Sequence, residues 1–404
     1  MQQQTKHLMV AQLGARHHYA IPRILHQADR LEHLYTDLCA VKGLPQILQL
    51  IPQKLQSPSI ARLTGRVPHG VPTNKITAFT KLGFEYTQRL RKANSASEQT
   101  QVFLWANSTF NQLVLKQGLQ GDGVYTFNAA GLEILTTAKQ RGLKTIMEQT
   151  IAPNAIEYQL LQEEQELHPG WEEPMPYDAY RSQYIEREQQ EWEQANIILC
   201  GSEFVRDGIQ KCGGPVSRCV VVPYGVDTRF HVPTRIRYQE PLRVLTVGTV
   251  GLRKGIPYVL EAAKRLKGLA TFRVVGPTQI SAKAIAMLQE HVELLGQVPR
   301  SQITEHYDWA DVFLLPSICE GSAGVTYEAL ACGLPVIATP NTGSIVRDGV
   351  DGYIVPIRDC DRLVDRLETL RTSPNRLHQM QQAAIEQANV CNFSSYTERL
   401  LQVL

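Results

Sequence analysis

Two glutamates that enclose seven residues are the most chemically suggestive pair in the chain. They are Glu320 and Glu328, in DVFLLPSICEGSAGVTYEALACGLPVIATPNTG (311–343). The apolar run before them reads as a buried strand ending at Pro316. Glu320 then falls in the loop beyond the strand's carboxyl end. Gly321 and Gly324 let backbone approach a ligand closely, and a helix starting near Gly324 carries Glu328. In open parallel sheets ligands bind outside the strand ends, and a helix start favours oxygen-rich anions. Two carboxylates there suit hydrogen bonds to the hydroxyls of a sugar or ribose. The plainer reading makes Glu320 a surface charge and Glu328 a capping residue. The chain has no GxxxxGK[ST] loop, no GxGxxG after a strand, no HExxH and no GxSxG, which sets aside the chemistries those motifs serve. One Asp-x-Asp pair, Asp359 and Asp361, could hold a divalent cation. It opens a helix, however, and Asp361 reads as its N-cap.

Positioning such residues needs a sheet, and the carboxy-terminal half predicts one. Apolar strands at 243–248, 271–276, 291–296, 311–316, 334–339 and 352–356 alternate with helices at 256–266, 281–290, near 324–332 and from Asp361. That alternation signals βαβ units and a parallel sheet buried on both faces. The amino-terminal half repeats it less regularly. Strands are expected at 7–13, 123–128, 143–150, 195–202 and 219–227, with a helix over 129–141. Residues 21–38 place Ile21, Ile24, Leu25, Ala28, Leu31, Tyr35 and Leu38 on one helical face. Two doubly wound α/β domains result. They are 1–227 and 242–394, with a polar linker at 228–241 and a terminal helix at 395–404.

The 404 residues carry 41 basic and 39 acidic side chains, a net charge of +2, and are 43% hydrophobic. That balance argues against a nucleic-acid binder. The eight cysteines form no CxxC pair, which suits a reducing cytosol. No signal peptide or transmembrane stretch is recognised. Two windows break the balance. Residues 53–97 hold eight basic side chains and one acid, a net +7, and residues 157–193 hold eleven acids and two arginines, a net −9. Solvated faces account for both. The sharper reading of the first is peripheral contact with an anionic membrane surface or a phosphate-bearing acceptor, and the second would complement it.

The segment 311–343, followed by the glycines up to GYIVP (352–356), resembles the sugar-nucleotide domain of the family-four retaining glycosyltransferases, with their E-x7-E signature. The match runs from about Val220 to the carboxyl terminus. It implies the GT-B architecture, two Rossmann-like domains facing a cleft, with the amino-terminal domain binding acceptor, the carboxy-terminal domain binding donor, and the terminal helix packing back on the first. By that resemblance Glu320 holds donor-sugar hydroxyls, supported by Gly321, Ser322, Ala323 and Gly324, and Glu328 binds the ribose. The family usually has E-G-F-G where this chain has Ser322 and Ala323. VGTVGLRKG (247–255) corresponds to the diphosphate loop after Gly248. Lys254 is in register, Thr249 stands where arginine is usual, and Arg253 is its replacement.

In the amino-terminal domain Gly14 and Ala15 correspond to the family's glycine-rich loop, and Arg16, His17 and His18 are candidates for phosphate or acceptor contact. Asn128 stands where the family often has histidine, and Glu148 takes part of that role. The resemblance implies transfer of a UDP- or GDP-linked sugar, or another nucleoside-diphosphate sugar, to a carbohydrate or lipid-linked acceptor. The anomeric configuration is retained and no metal or other cofactor is used. Polysaccharide, glycolipid or glycoconjugate biosynthesis at the cytoplasmic face of a membrane is the expected setting. A nucleotide-sugar epimerase of similar shape and an inactive sugar-nucleotide-binding subunit are the alternatives.

Overall fold

The computed structural model describes residues 7–48, 51, 57–226 and 240–404. Nearly all of the expected linker, and Lys54 of the basic window, lie outside the described residues. Among the described residues no helix is long and apolar enough to cross a membrane.

Two parallel sheets organise the chain. The first contains β1 (Leu8–Gln12), β2 (Leu31–Thr36), β3 (Ile76–Ala78), β4 (Gly123–Phe127), β5 (Lys144–Gln149), β6 (Ile197–Cys200) and β7 (Cys219–Val221). Their spatial order is β3-β2-β1-β4-β5-β6-β7. The second contains β8 (Leu242–Val247), β9 (Ala270–Val275), β10 (Val292–Gly296), β11 (Val312–Leu315), β12 (Val336–Ala338) and β13 (Gly352–Ile354). Its order is β10-β9-β8-β11-β12-β13. Both run outward one way from the first strand and then outward the other, the doubly wound arrangement. Each has its switch point beside its first strand, between β1 and β4 and between β8 and β11.

Both faces of the second sheet's central strands are buried, as their apolar character requires, whereas the edge strand β10 exposes Glu293 and Leu295. Val244, Val274 and Leu314 face one core, whereas Leu245, Val275, Phe313 and Leu315 face the other. Full burial of a side chain such as Phe313 contributes roughly 1.5–3 kcal/mol.

Contacts group the chain into two units. One is the described residues up to Thr150 with Pro176–Leu199 and Gly213–Val220. The other is Ile151–Met175, Cys200–Cys212 and the described residues of Val221–Leu404. Segments 151–175 and 200–212, which the sequence places in the first domain, therefore pack with the second. The terminal helix Phe393–Val403 also packs in the second unit. Its Tyr396 ring lies 6.1 Å from Tyr224, and Arg399 donates to the Pro223 carbonyl.

Two local expectations are corrected. The apolar pattern over 21–38 is not one helix. The helix ends at Gln27, the chain turns through Asp29 with φ +52, and Leu31–Thr36 forms β2. Pairing with β1 and β3 overrides a periodicity that suits either state in so short a run. The N-cap of the helix Cys360–Thr372 is Asp359, which accepts the Arg362 N–H at 2.9 Å. Asp361 instead pairs with Arg265 at 2.6 Å on an exposed surface.

Candidate active site

In the second unit, the loops after β8 and β11 are joined at the switch point. Arg253 and Lys254 sit in the short turn Leu252–Lys254. The Arg253 carbonyl accepts the Ile318 N–H at 2.9 Å, which ties this turn to the loop after β11. Gly255 follows at φ +69, and a Cβ there would stand 2.0 Å from the Pro316 carbonyl oxygen. Gly248 makes room for the Lys254 side chain, whose Cε is 3.1 Å from where a Cβ would lie. Side chains are thus excluded where the two loops meet. Gly255→Ala should cost about 2–4 kcal/mol through strain and overlap. Calorimetry should show the transition of this unit lowered by roughly 5–10 °C. An unchanged transition would contradict this account of the junction.

The junction brings three of the expected residues together. Lys254 Nζ lies 2.8 Å from Glu320 Oε1, and Arg253 Nε lies 3.6 Å from the same oxygen. The contact with Lys254 is an ion pair without hydrogen-bond alignment. Arg253 also donates from Nε to the Cys319 carbonyl at 2.9 Å and from Nη1 to Glu157 at 2.6 Å. Glu320 is itself held by its N–H, which donates to the Asn341 carbonyl at 3.0 Å. Burial and the neighbouring Glu157 push the Cys319 thiol up to about 12, so it is no thiolate nucleophile at neutral pH.

The next residues hold the loop rather than face outward. Ser202 Oγ donates to the Gly321 carbonyl. Ser322 Oγ meets the Tyr327 hydroxyl at 2.7 Å and donates to the Gly343 carbonyl at 3.0 Å. The Ala323 N–H donates to the Thr342 carbonyl at 3.1 Å, so that amide is engaged internally. Gly324 opens the helix Gly324–Ala331, where the first N–H groups have no acceptor within the helix. Further along it, Glu328 accepts from the buried Tyr307 hydroxyl at 2.9 Å and lies 3.8 Å from Arg300.

The switch point of the first unit carries a second group. After β1, the Gly14 N–H donates to Asp37 Oδ1 at 2.9 Å, and Arg66 pairs with Asp37 at 3.4 Å. Ala15 and the exposed Arg16 follow. His17, His18 and Tyr19 then adopt φ of 47°, 49° and 61°, three left-handed residues in succession. Each costs about 1–3 kcal/mol, strain that typically accompanies function. His17 Nε2 lies 2.8 Å from Glu148 Oε1, and the Tyr125 hydroxyl donates to the other carboxylate oxygen. Asn128 donates its N–H to the Glu148 carbonyl at 2.9 Å, while its side-chain oxygen accepts from the Thr150 hydroxyl at 2.9 Å.

Sequence reasoning missed Asp37, Arg66, Tyr125, Tyr307, Asn341 and Glu157. Only Asp37 had a readable signal, an acid just past a strand, and the helical reading of 21–38 hid it. Asp359 and Asp361 are engaged with Arg362 and Arg265. Among the described residues no group of three or more His, Cys, Asp or Glu is arranged to hold a metal.

Two doubly wound parallel α/β sheets are the architecture found in solved GT-B glycosyltransferase structures. Residues 241–373 match the family model described as Glycosyl transferases group 1. The chain is 29% identical over 187 residues to the amylovoran biosynthesis glycosyltransferase AmsK of Erwinia amylovora, covering 42% of this chain and 46% of that one. It spans about half the length of the curated relatives it matches. Among solved structures, sucrose-phosphate synthase from Thermosynechococcus elongatus shares the fold with a TM-score of 0.65 at 16% identity, over 98% of both chains. Anabaena HepE in complex with UDP and glucose does so with a TM-score of 0.61 at 13% identity, again over 98% of both.

Proposed function

We propose that the protein transfers a sugar from a nucleoside-diphosphate donor to an acceptor hydroxyl, with retention of configuration and no metal. The grouping of Lys254, Arg253 and Glu320 at the β8/β11 switch point carries this reading. As the sugar–phosphate bond breaks, negative charge grows on the departing diphosphate. Fixed cations stabilise it without reorganising. Glu320 holds donor hydroxyls, and Glu328, braced by Tyr307, holds the ribose. The acceptor attacks from the same face as the leaving group, and the departing phosphate takes its proton. For the first unit Arg16, His17, His18 and Glu148 are the proposed candidates for phosphate or acceptor contact, Gly14 and Ala15 are proposed donor contacts, and Asn128 takes the place of the family's histidine near the sugar's outer hydroxyl.

The donor reading draws support from the UDP and glucose named with HepE. Polysaccharide or glycoconjugate biosynthesis draws support from the amylovoran role named for AmsK. The basic segment 53–97 is proposed as a peripheral contact with the cytoplasmic membrane face. There Lys81, Arg89, Arg91 and Lys92 are exposed on the helix Thr80–Lys92, and Phe84 is exposed beside them.

A panel of nucleoside-diphosphate sugars, monitored for nucleotide release with and without glycan or lipid-linked acceptor, tests the reading. Acceptor-dependent release supports transfer, rearrangement of a labelled donor without acceptor identifies an epimerase, and binding without release identifies an inactive subunit. Activity should persist in excess EDTA, because Lys254, Arg253 and helix N-termini carry the diphosphate charge. Loss that Mg²⁺ or Mn²⁺ restores would contradict metal independence.

A further inference from the structure

The acidic window was expected to complement the basic one, yet several of its carboxylates act within the second unit. Segment 151–175 lies along the loop that carries Arg253 and Lys254, and touches it twice. Glu157, on the helix Asn154–Leu167, accepts from Arg253 Nη1 at 2.6 Å. Glu172 accepts the Leu252 N–H at 2.6 Å. The segment is itself anchored. Arg358 pairs with Glu163 at 2.9 Å and with the fully buried Glu164, which also accepts from the Tyr258 hydroxyl at 3.1 Å. Trp171 offers its carbonyl to the Ser281 N–H at 2.7 Å.

These contacts fix the plane of one guanidinium. An arginine side chain has many rotamers, and ordering it opposes binding. Here Nε is held by the Cys319 carbonyl and Nη1 by Glu157, so two edges of the fork are tied. Among the described residues Nη2 has no hydrogen-bond partner, which leaves that edge as a donor for a ligand. Arg253, Lys254, Glu157 and Glu320 balance to zero formal charge, so an arriving anion competes with two carboxylates for the two cations.

We propose that segment 151–175 is part of the donor site, and that Glu157 is a positioning residue which aims Arg253 at the departing diphosphate. This rests on the donor reading above. Glu157 touches neither sugar nor phosphate and acts through Arg253. An isosteric amide keeps the hydrogen bond to Nη1, whereas alanine removes it.

The test uses the full chain with Glu157→Ala, Glu157→Gln, Arg253→Ala, the double variant Glu157→Ala/Arg253→Ala, and Glu166→Ala as a control. Glu166 is an exposed acid on the same helix, bonded to Gln162. UDP and GDP binding is measured by calorimetry, and kcat and KM with the donor that the panel identifies. Glu157→Ala should lower kcat/KM about tenfold or more, the scale of a lost hydrogen bond to a charged group. The loss should fall mainly in kcat, because the diphosphate charge grows in the transition state. Glu157→Gln should stay within about threefold of wild type, as should Glu166→Ala. In the Arg253→Ala background the Glu157→Ala change should have no further effect, because the residue it positions is gone.

Unchanged or tighter binding and turnover in Glu157→Ala would overturn the proposal, since a carboxylate that merely competes with phosphate gives that result. So would a full loss that persists in the Arg253→Ala background. If wild type binds neither UDP nor GDP and turns over no donor, the donor reading falls and this inference with it. Normal wild-type binding beside an unaffected Glu157→Ala variant removes this inference alone.

Discussion

Glu320→Gln is expected to lower turnover by roughly 10²–10³-fold, the scale for removing one fixed electrostatic contact in a reacting centre. The substitution keeps the side chain's shape but removes its charge. Lys254 then loses the anion 2.8 Å from its ammonium, and the donor sugar loses a charge-assisted hydrogen bond, which is about twice as strong as a neutral one. The Glu320 N–H bond to Asn341 is unaffected, so the loop should stay in place and the melting transition should hardly move. Glu328→Gln should behave differently. Its partner Tyr307 can donate to an amide oxygen as well, and the lost charge should mainly raise donor KM, by about tenfold. Steady-state kinetics on both variants separate the roles. Full activity with unchanged donor affinity in both would remove the assignment of these two glutamates.

The second sheet was readable because its central strands are buried on both faces. RVLTVG, TFRVVG and DVFLLP are short runs rich in apolar and β-branched residues, each closed by Gly or Pro. The amino-terminal half lacks that clarity. Leu31, Leu34 and Tyr35 sit at spacings that serve a helix as well as a strand, and only pairing with β1 decides between them. The helices Thr80–Lys92 and Arg181–Gln194 are so polar that they read as charge windows.

The same contrast holds at the sites. Glu320, Lys254 and Arg253 were identifiable from motif and register, since each follows a strand at the switch point. Glu157 was not, because its partner Arg253 is 96 residues away and the contact depends on how segment 151–175 packs. His17 and Glu148 were each named as candidates, but their meeting across 131 residues is a product of the β1-β4-β5 neighbourhood. Local spacing carries no trace of it.

Arg253→Ala should reduce turnover by about 10²–10³-fold, and Lys254→Ala by at least as much. Lys254 is the closer of the two to Glu320, at 2.8 Å against 3.6 Å. Its loss leaves a largely buried carboxylate with a weaker partner, which adds an electrostatic penalty to the missing phosphate contact. For Arg253 the geometry makes a sharper demand. With Nε and Nη1 tied to Cys319 and Glu157, the guanidinium is presented in one plane. Lysine has a single ammonium and cannot reproduce that fork. Arg253→Lys should therefore recover only a minor part of the lost rate. Thr249, four residues earlier in the same loop, is short and neutral. Introducing arginine there in the Arg253→Ala background should recover more than lysine does at 253, because it returns a planar donor to the diphosphate loop. Single-turnover rates at saturating donor are the measurement that decides. Near-wild-type turnover in Arg253→Ala would show that Lys254 and the helix N-termini suffice for the leaving group. A Thr249→Arg/Arg253→Ala variant no better than Arg253→Ala would show that the demand is for a cation at residue 253, in the grip of Glu157, and not for one anywhere along the loop.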